Sequence, residues 1–452
     1  MLAYQENSAA TINNLNPTIA PLATHERITT LDSLRGVAVL GILLLNIISF
    51  GLPKAYVDPS VYGGIDGWNL VAFVTNNLFF EGTMRGLFSL LFGASILLLS
   101  ERAEARGDTS EFADMYYRRM LWLFLFGVIH AWALLWFGDV LYWYALAGMF
   151  LFPLRKLSPR TLIILGLLAL ATLIPRTAIK IDETTDARTA AQAAQRLVAQ
   201  QRELTDEQAQ AIAHWQSIEA WAKPDSHFLE QRIQSMQGDY LSVLREITPI
   251  IIAYESTILY KGGFFDAIGC MLLGMALLKL GVLTGKRSVH FYLWMMLVGF
   301  GLGVAVNIFE TWKIITNDFD IITLMTWGFL GVTYDLGRIP VTLGFVGLIA
   351  LIGKLGWYRL VMKKLANVGR MALTNYVMQS VICAFVFYGF GLGLFGQLER
   401  YQLYYVVGII WVLQIVGSSL WLKYFHFGPL EWLWRSLTYW RLQGFVRRIP
   451  NT

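Results

Sequence analysis

The chain has 452 residues, of which 56% are hydrophobic and 15% are charged, against about 25% charged residues in ordinary soluble domains. This composition excludes an ordinary soluble enzyme domain. The net charge of +5 does not indicate nucleic-acid binding, because lysine and arginine fall mainly in short loops between apolar runs, as is typical of membrane proteins. We therefore predict an all-α fold, a polytopic transmembrane helical bundle.

Several apolar runs reach the roughly 18–20 residues that a helix needs to cross a bilayer. Together with shorter runs, they predict about ten or eleven crossings. The expected spans are 36–52, 84–100, 119–137, 139–154, 161–178, 265–283, 289–310, 339–355, 372–395 and 402–424. Two further runs, 247–260 and 320–336, are short or interrupted, and they could span, re-enter or lie at the interface.

The remaining regions divide the chain into parts. Residues 1–26 are polar and lack the features of a signal peptide, so we expect a disordered tail. Residues 27–179 and 247–427 are expected to form two transmembrane blocks, separated at 180–246 by a small helical insert rich in helix formers. Residues 428–452 contain alternating tryptophan, leucine and arginine, which favours an amphipathic helix on the inner membrane surface or an aromatic anchor there.

The distribution of basic residues predicts the orientation. Loop 101–119 is rich in arginine and is therefore expected in the cytoplasm, together with the N-terminus. The insert at 180–246 then lies outside the cytoplasm. The basic loops 285–287 and 354–370 also favour the cytoplasm. A full crossing at 320–336 would place these two loops on opposite sides of the membrane, which conflicts with that assignment.

The first span begins with a charged pair and carries an amide near its far end. Asp32 and Arg35 are three residues apart at the start of a helix, close enough to pair. Asn46 lies within the apolar run, where a polar amide needs partners. Either these groups cap the helix and join it to a neighbour, or they belong to a ligand site.

Four ionisable residues follow in the next spans. Glu81 and Arg85 are four residues apart and can pair at the outer end of the second span. His130 lies inside the third span, where an ionisable group is a candidate site, and histidine is a frequent general base; a packing histidine is the alternative. Asp139 lies ~13 Å away on a continuous helix, so direct contact would need a broken helix, and Glu81 is an equal candidate partner.

A polar stripe occurs in NVGRMALTNYVMQS, residues 367–380. Asn375 and Gln379 are four residues apart, and so are Tyr376 and Ser380, so one helix face is polar. Such a stripe either lines a cavity or forms a seam between helices. Taken together, we predict that polar side chains from four transmembrane elements surround one hydrated chamber.

The motifs together resemble a known family. The segments are LDSLRGVAVLGILLLNIISF, FEGTMRGLFSLLFGAS, GVIHAWALLWFGDVLYWYALAG, GRMALTNYVMQS and GPLEWLWRSLTY. They resemble the YeiB-like family of bacterial inner-membrane proteins, which is similar to the transmembrane acyltransferase superfamily, and the likeness covers about residues 27–160 and 260–445. It implies a helical bundle in the cell inner membrane that passes an acyl group from cytoplasmic acyl-CoA to an acceptor on the far side.

The resemblance also implies roles for residues. In the lysosomal heparan glucosaminide acetyltransferase, an asparagine late in the first span is followed by a catalytic histidine in the next loop. Asn46 matches that asparagine, but residues 47–81 contain no histidine. We therefore infer His130 or Glu81 as the base, with Asn46 as a donor to the oxyanion and Arg35 as a contact to a CoA phosphate.

Three functions stay open at this point. An acyltransferase would bind acyl-CoA and a small-molecule or glycan acceptor, and no metal site is expected. A transporter of a small polar or amphiphilic solute would use the same polar residues as a path, and a structural protein would use them for packing. The candidate substrate-binding residues are Asp139, Arg85, Asn375, Tyr376 and Gln379. Membrane lipids are the expected surroundings, no nucleic-acid partner is expected, and a homo-oligomer is compatible with the sequence.

Overall fold

The structure is a computed structural model, and it describes residues 29–105, 112–326, 329–356 and 358–447. The expected tail at 1–26 lies outside the described residues. The described residues are helical, apart from connecting segments and an isolated antiparallel bridge between Phe425 and Val446. The predicted all-α class is confirmed.

The described residues form eighteen α-helices and one π-helical segment. The helices are α1 (Thr29–Gly51), α2 (Gly67–Phe79), α3 (Thr83–Ala105), α4 (Phe112–Trp132), α5 (Leu141–Leu154), α6 (Pro159–Ala171), α7 (Leu173–Ala199), α8 (Asp206–Ala222), α9 (Ser226–Met236), α10 (Tyr240–Ala253), the π segment (Tyr254–Gly263), α11 (Phe264–Lys279), α12 (Val289–Thr316), α13 (Ile321–Thr326), α14 (Phe329–Leu355), α15 (Arg359–Arg370), α16 (Ala372–Phe387), α17 (Leu403–Tyr424) and α18 (Pro429–Tyr439).

Many of these helices are long and apolar enough to cross a membrane. Among the described residues there are seven such helical segments, or up to eight if α15 and α16, which meet at 79°, form one broken span. The sequence-based number of ten or eleven is higher because it also counted α4 and two shorter helices, α5 and α16, as spans of their own. One of them, α5, has 14 residues, about 21 Å of helix against a hydrocarbon core of about 30 Å. The chain is a multi-pass membrane protein.

Glycines set two close helix crossings in the bundle. Gly36 of α1 lies against α15, where an added Cβ would be 2.1 Å from the carbonyl oxygen of Leu365. Gly93 of α3 makes a similar approach to α11, with an added Cβ 2.1 Å from the carbonyl oxygen of Met271. Small residues allow such close backbone contact between membrane helices, which explains the glycine that follows Arg35 in the first motif.

The 180–246 segment is helical, and three of its helices, α8, α9 and α10, begin at side-chain caps. Each capping side chain accepts a hydrogen bond from the backbone N–H three residues later, at Thr205, Asp225 and Asp239, as N-cap residues do. The segment packs against the end of α4, where the Tyr240 hydroxyl donates to the carbonyl of Ala133 at 3.1 Å. The insert therefore covers the end of the bundle at which α4 stops.

Candidate functional site

A cavity of about 260 Å³ lies among α1, α3, α4, α5, α15, α16 and α18. Five arginines line one end, and we call it the arginine end: Arg35, Arg102, Arg119, Arg370 and Arg435. The other end is the aromatic end, lined by Phe88, Tyr144 and Tyr376. The arginines are partly exposed, whereas the two tyrosines are buried. The cavity therefore opens at the arginine end and closes at the aromatic end, with apolar walls between them.

The arginine end suits an anionic group. Arg35 donates to Asp32 at 2.6 Å and to the Ser95 hydroxyl at 2.8 Å, which confirms the predicted pair at the start of the first helix. The Arg119 guanidinium lies 3.6 Å from the ring centre of Trp434. Guanidinium groups bind phosphate and carboxylate through charge-assisted hydrogen bonds, so this end can hold the charged part of a ligand.

Helix α18 forms one wall of the arginine end. Glu431 accepts hydrogen bonds from the N–H groups of Leu373 and Thr374 at 2.7 and 3.0 Å, at the start of α16. Burial raises the pKa of the Glu431 carboxyl, and the hydrogen bonds from Thr374 oppose this rise. The Trp434 indole donates to the carbonyl of Arg119 at 2.9 Å. This part of the expected amphipathic tail thus packs against the bundle and lines the cavity.

A buried histidine–aspartate pair, which we call the dyad, lies beside the aromatic end. His130 Nδ1 is 2.7 Å from Asp139 Oδ1, and the two side chains are 1% and 3% exposed. A continuous helix would separate them by ~13 Å, and the broken helix that the sequence analysis required for direct contact is present. Helix α4 ends at Trp132, and the chain turns back before α5 begins at Leu141.

The hydrogen bonds around Asp139 assign the roles of the two imidazole nitrogens. Asp139 accepts from His130 through Oδ1 and from the backbone N–H of Tyr142 through Oδ2 at 2.8 Å. A carboxylate that accepts on both oxygens makes Nδ1 of His130 the donor and Nε2 the acceptor. Nε2 is buried and has no hydrogen-bond partner among the described residues. An imidazole oriented by a carboxylate, with its second nitrogen unoccupied, is the arrangement of a general base.

Tyr376 connects the cavity to the dyad. Its side chain lines the aromatic end, and its ring centre is 5.0 Å from that of His130 in an edge-to-face contact. Its hydroxyl accepts hydrogen bonds from Trp136 Nε1 and from the backbone N–H of Val140, both at 3.3 Å. The dyad therefore lies directly behind the closed end of the cavity.

Asn46 lies on the face of α1 that also carries Arg35. The two are eleven residues apart, about three turns or ~16 Å along the helix. One turn beyond Asn46, Phe50 stacks on Trp136 with ring centres 4.1 Å apart. The Asn46 side chain lines neither described cavity. This face of α1 runs from the arginine end towards the dyad.

Glu81 and Arg85 belong to a separate polar cluster. Arg85 pairs with Asp266, Nε to Oδ2 at 3.3 Å, and Asp266 also accepts from Arg338, which is 1% exposed. Glu81 accepts from the Tyr56 hydroxyl at 2.9 Å. The predicted pairing of Glu81 with Arg85 does not form, because Glu81 lies in the turn before α3 rather than on the helix.

Asn375 and Gln379 lie in a seam between helices, which also includes Gln414 and Ser418. The Gln379 amide donates to the carbonyl of Val39 at 3.0 Å and to Gln414 at 2.9 Å. The Asn375 amide donates to Ser418 at 3.0 Å. These bonds join α16 to α1 and α17, and neither residue lines a described cavity. The seam interpretation fits these two residues.

The predicted residues do not surround one chamber. Arg35 and Tyr376 line the large cavity, and Glu81 lines a separate one of about 20 Å³, while His130 and Asn46 line neither. The prediction of a single shared chamber is therefore wrong. Within the described ranges, no group of three or more histidine, cysteine or acidic residues could hold a metal ion.

Sequence reasoning missed several cavity residues: Arg102, Arg119, Tyr144, Arg370 and Arg435. Four of them are arginines: the topology argument counted Arg102, Arg119 and Arg370 as basic loop residues, and Arg435 lies in the segment assigned to the amphipathic tail. A signal for them was present in the predicted topology. Their segments were all assigned to one side of the membrane, so basic side chains from different helices could be expected to meet there.

Comparisons with known proteins give relatives along nearly the whole chain. Residues 277–441 match a family described as "Protein of unknown function (DUF418)". The chain is 33% identical to "Uncharacterized protein YxaH" of Bacillus subtilis, over 95% of this chain and 98% of the relative. It is 31% identical to "Uncharacterized protein YeiB" of Escherichia coli, over 91% and 96%. No solved structure matches.

Proposed function

This chain belongs to the YeiB-like family, and from that premise we propose that it is an acyltransferase of the cell inner membrane. It would move an acyl group from cytoplasmic acyl-CoA to a hydroxyl or amine acceptor on the far side. The observation that carries the proposal is a cavity lined by arginines at its open end that closes beside a buried histidine–aspartate dyad.

The cavity matches the chemistry of an acyl-CoA. The CoA phosphates are anionic and suit the guanidinium groups of Arg35, Arg119 and their neighbours. The acyl group and its thioester are uncharged and suit the apolar walls that lead to Tyr376. The excess of basic residues at the arginine end supports a cytoplasmic location for that end, together with the start of α1. The N-terminus is then cytoplasmic, and the dyad lies towards the far side.

The dyad supplies the base. His130 Nε2 takes the proton from the acceptor hydroxyl while the hydroxyl oxygen forms a bond to the thioester carbonyl carbon. Asp139 holds the imidazole in the tautomer that leaves Nε2 free and stabilises the imidazolium that forms. The intermediate then breaks its C–S bond, and the CoA thiolate takes the proton from His130. The insert covers this end of the bundle through Tyr240, which makes it a candidate for selecting the acceptor.

Radiolabelled acetyl-CoA tests the proposal. Purified protein in lipid nanodiscs is assayed for binding and for release of CoA, with water or an added polyol as acceptor. Wild type is expected to bind and release CoA, and His130→Asn to bind but release it far more slowly. His290→Asn changes an exposed histidine and is the matched control.

An absence of binding at millimolar acetyl-CoA contradicts the proposal. The transporter remains the competing function, with Asn375, Gln379 and His130 as its path. Solute uptake into proteoliposomes that is lost in Gln379→Ala, without any turnover of acetyl-CoA, would decide for transport.

A further inference from the structure

Tyr376 lines the closed end of the cavity, and the hydrogen of its hydroxyl has no acceptor among the described residues. We propose that Tyr376 is a catalytic residue whose hydroxyl donates a hydrogen bond to the oxyanion of the acyl-transfer intermediate. The inference rests on the proposed function and assigns to Tyr376 the role that sequence reasoning gave to Asn46.

Among the described residues, the hydroxyl of Tyr376 accepts two hydrogen bonds and donates none. A phenolic hydroxyl accepts through its lone pairs and donates one hydrogen. The N–H groups of Trp136 and Val140 both donate to the Tyr376 oxygen, so its own hydrogen must point elsewhere. None of the hydrogen bonds of the described residues has Tyr376 as the donor, and the residue is 2% exposed. A buried donor without an acceptor is costly, which points to a ligand as its acceptor.

His130, whose ring contacts that of Tyr376, offers the complementary group. His130 Nε2 is a buried acceptor without a donor, and the two rings are 5.0 Å apart. Two rings in edge-to-face contact thus carry a spare donor and a spare acceptor. The reacting groups present the opposite pair, because the acceptor hydroxyl donates a proton to Nε2 and the thioester oxygen accepts from Tyr376. Preorganised donors of this kind stabilise developing negative charge.

The acyl-transfer intermediate forms and collapses with the transfer of a single proton through His130. As the acceptor oxygen bonds to the carbonyl carbon, its proton passes to His130 and the carbonyl electron pair moves onto the oxygen. This oxyanion accepts the hydrogen bond from Tyr376. When the intermediate collapses, the electron pair returns, the C–S bond breaks, and the thiolate leaves with the proton from His130. Tyr376 keeps its proton throughout.

Two neighbouring residues show why Tyr376 is assigned this role. Tyr144 also lines the aromatic end, but its hydroxyl contacts Ser89 at 2.6 Å and donates to the carbonyl of Arg85 at 3.2 Å. Its hydrogen is therefore used inside the protein. Asn46 lines neither cavity. Tyr144→Phe is consequently a matched control for Tyr376→Phe, since both remove one hydroxyl from the same end of the cavity.

The experiment measures acetyl-CoA binding and kcat for acetyl transfer in the full chain. Tyr376→Phe is expected to lower kcat by about 10²–10³-fold, as the loss of one oxyanion donor does, with binding nearly unchanged. Tyr144→Phe is expected to lower kcat by less than about tenfold. Equal effects of the two variants on kcat overturn the inference while leaving the acyltransferase proposal standing.

A second variant covers the case in which Tyr376→Phe misfolds because Trp136 and Val140 lose their acceptor. Replacement of Tyr376 by 3-fluorotyrosine keeps the ring and the oxygen but makes the hydroxyl a stronger donor. We expect kcat to rise, whereas a purely structural role leaves kcat unchanged and overturns the inference. If wild type neither binds nor turns over acetyl-CoA, the proposed function fails, and this role fails with it.

Discussion

Helix α16 has two polar faces, and they differ in how their hydrogen bonds are completed. On the seam face, the amide N–H groups of Asn375 and Gln379 donate to α1, α17 and the carbonyl of Val368 in α15. On the adjacent face, Tyr376 has a donor without an acceptor beside His130, which has an acceptor without a donor. The first face holds helices together, whereas the second is complementary to a ligand. Gln379 Oε1 is also buried without a hydrogen-bond partner among the described residues, but Gln379 lines neither described cavity. The location of an unsatisfied atom, and not its presence alone, therefore distinguishes the two faces.

The largest expected effect comes from the dyad. We expect His130→Asn to lower the rate of acetyl transfer by about 10²–10⁴-fold, the usual contribution of a general base. The asparagine amide can still donate to Asp139, so the melting temperature should change little. Steady-state assays and thermal unfolding of the same preparation check both parts. If His130→Asn retains the wild-type kcat, the dyad does not take part in the reaction, and the proposed difference between the two faces of α16 is contradicted.

The polar cluster around Asp266 is expected to contribute to stability and not to the reaction. Asp266→Ala leaves the buried guanidinium of Arg338 with the Asp335 carboxylate alone, and it removes the carboxylate partner of Arg85. Breaking a buried ion pair costs about 3–5 kcal/mol, and we expect a loss near the lower value. Chemical unfolding in detergent measures it, with the exposed Asp182→Ala as the control.

Acetyl transfer per folded molecule should survive Asp266→Ala. A variant of normal stability with lost transfer would instead place this cluster in the reaction.

The seam is expected to matter for stability alone. Gln379→Leu leaves the Gln414 carbonyl oxygen without its donor, and an unsatisfied buried group costs about 1–3 kcal/mol. Replacing both glutamines by leucine removes both partners and should recover part of this loss. Unfolding free energies of the two single variants and the double variant form a cycle that measures the coupling. Lost acetyl transfer at unchanged stability would contradict the assignment of Gln379 to a seam.

The arginine end predicts the smallest effect. Arg119→Gln removes one positive charge from the cavity lining, and we expect the Kd for acetyl-CoA to rise by about tenfold, or about 1.4 kcal/mol. The difference should shrink at high salt, because salt screens the attraction between the arginine end and the CoA phosphates. Titration calorimetry measures both values. Lys363→Gln, on the exposed side of α15, is the control, and an equal change in the two variants would mean that only general surface charge matters.

Local features of the fold and the site follow from the sequence. Composition and run length predict the helical membrane bundle, and spacing predicts the pair of Asp32 with Arg35, since residues three apart on a helix are neighbours. In contrast, the contact of His130 with Asp139 depends on the turn after α4. Leu135 adopts φ 58° there, and Trp136 is buried against Phe50. Such a turn is fixed by packing with a distant helix, so helical spacing alone gives the wrong distance.

The cavity itself was beyond sequence reasoning for the same reason. Its arginines come from α1, α3, α4, α15 and α18, and each one alone has the pattern of a basic residue at a span end. Only the packing of α18 against α4 and α16, through Trp434 and Glu431, brings them together. The tail that the sequence assigned to the membrane surface therefore completes the site.

Covalent trapping of a reactive donor tests most directly whether an acyl group reaches the aromatic end. The two cysteines of the sequence, Cys270 and Cys383, are buried, so a new cysteine in Phe88→Cys can be followed by intact mass. The account predicts that bromoacetyl-CoA alkylates Phe88→Cys faster than Leu360→Cys, whose position is exposed on α15, and that acetyl-CoA slows only the former. Equal labelling of the two positions, or labelling that acetyl-CoA does not slow, would contradict the claim that this cavity holds the donor.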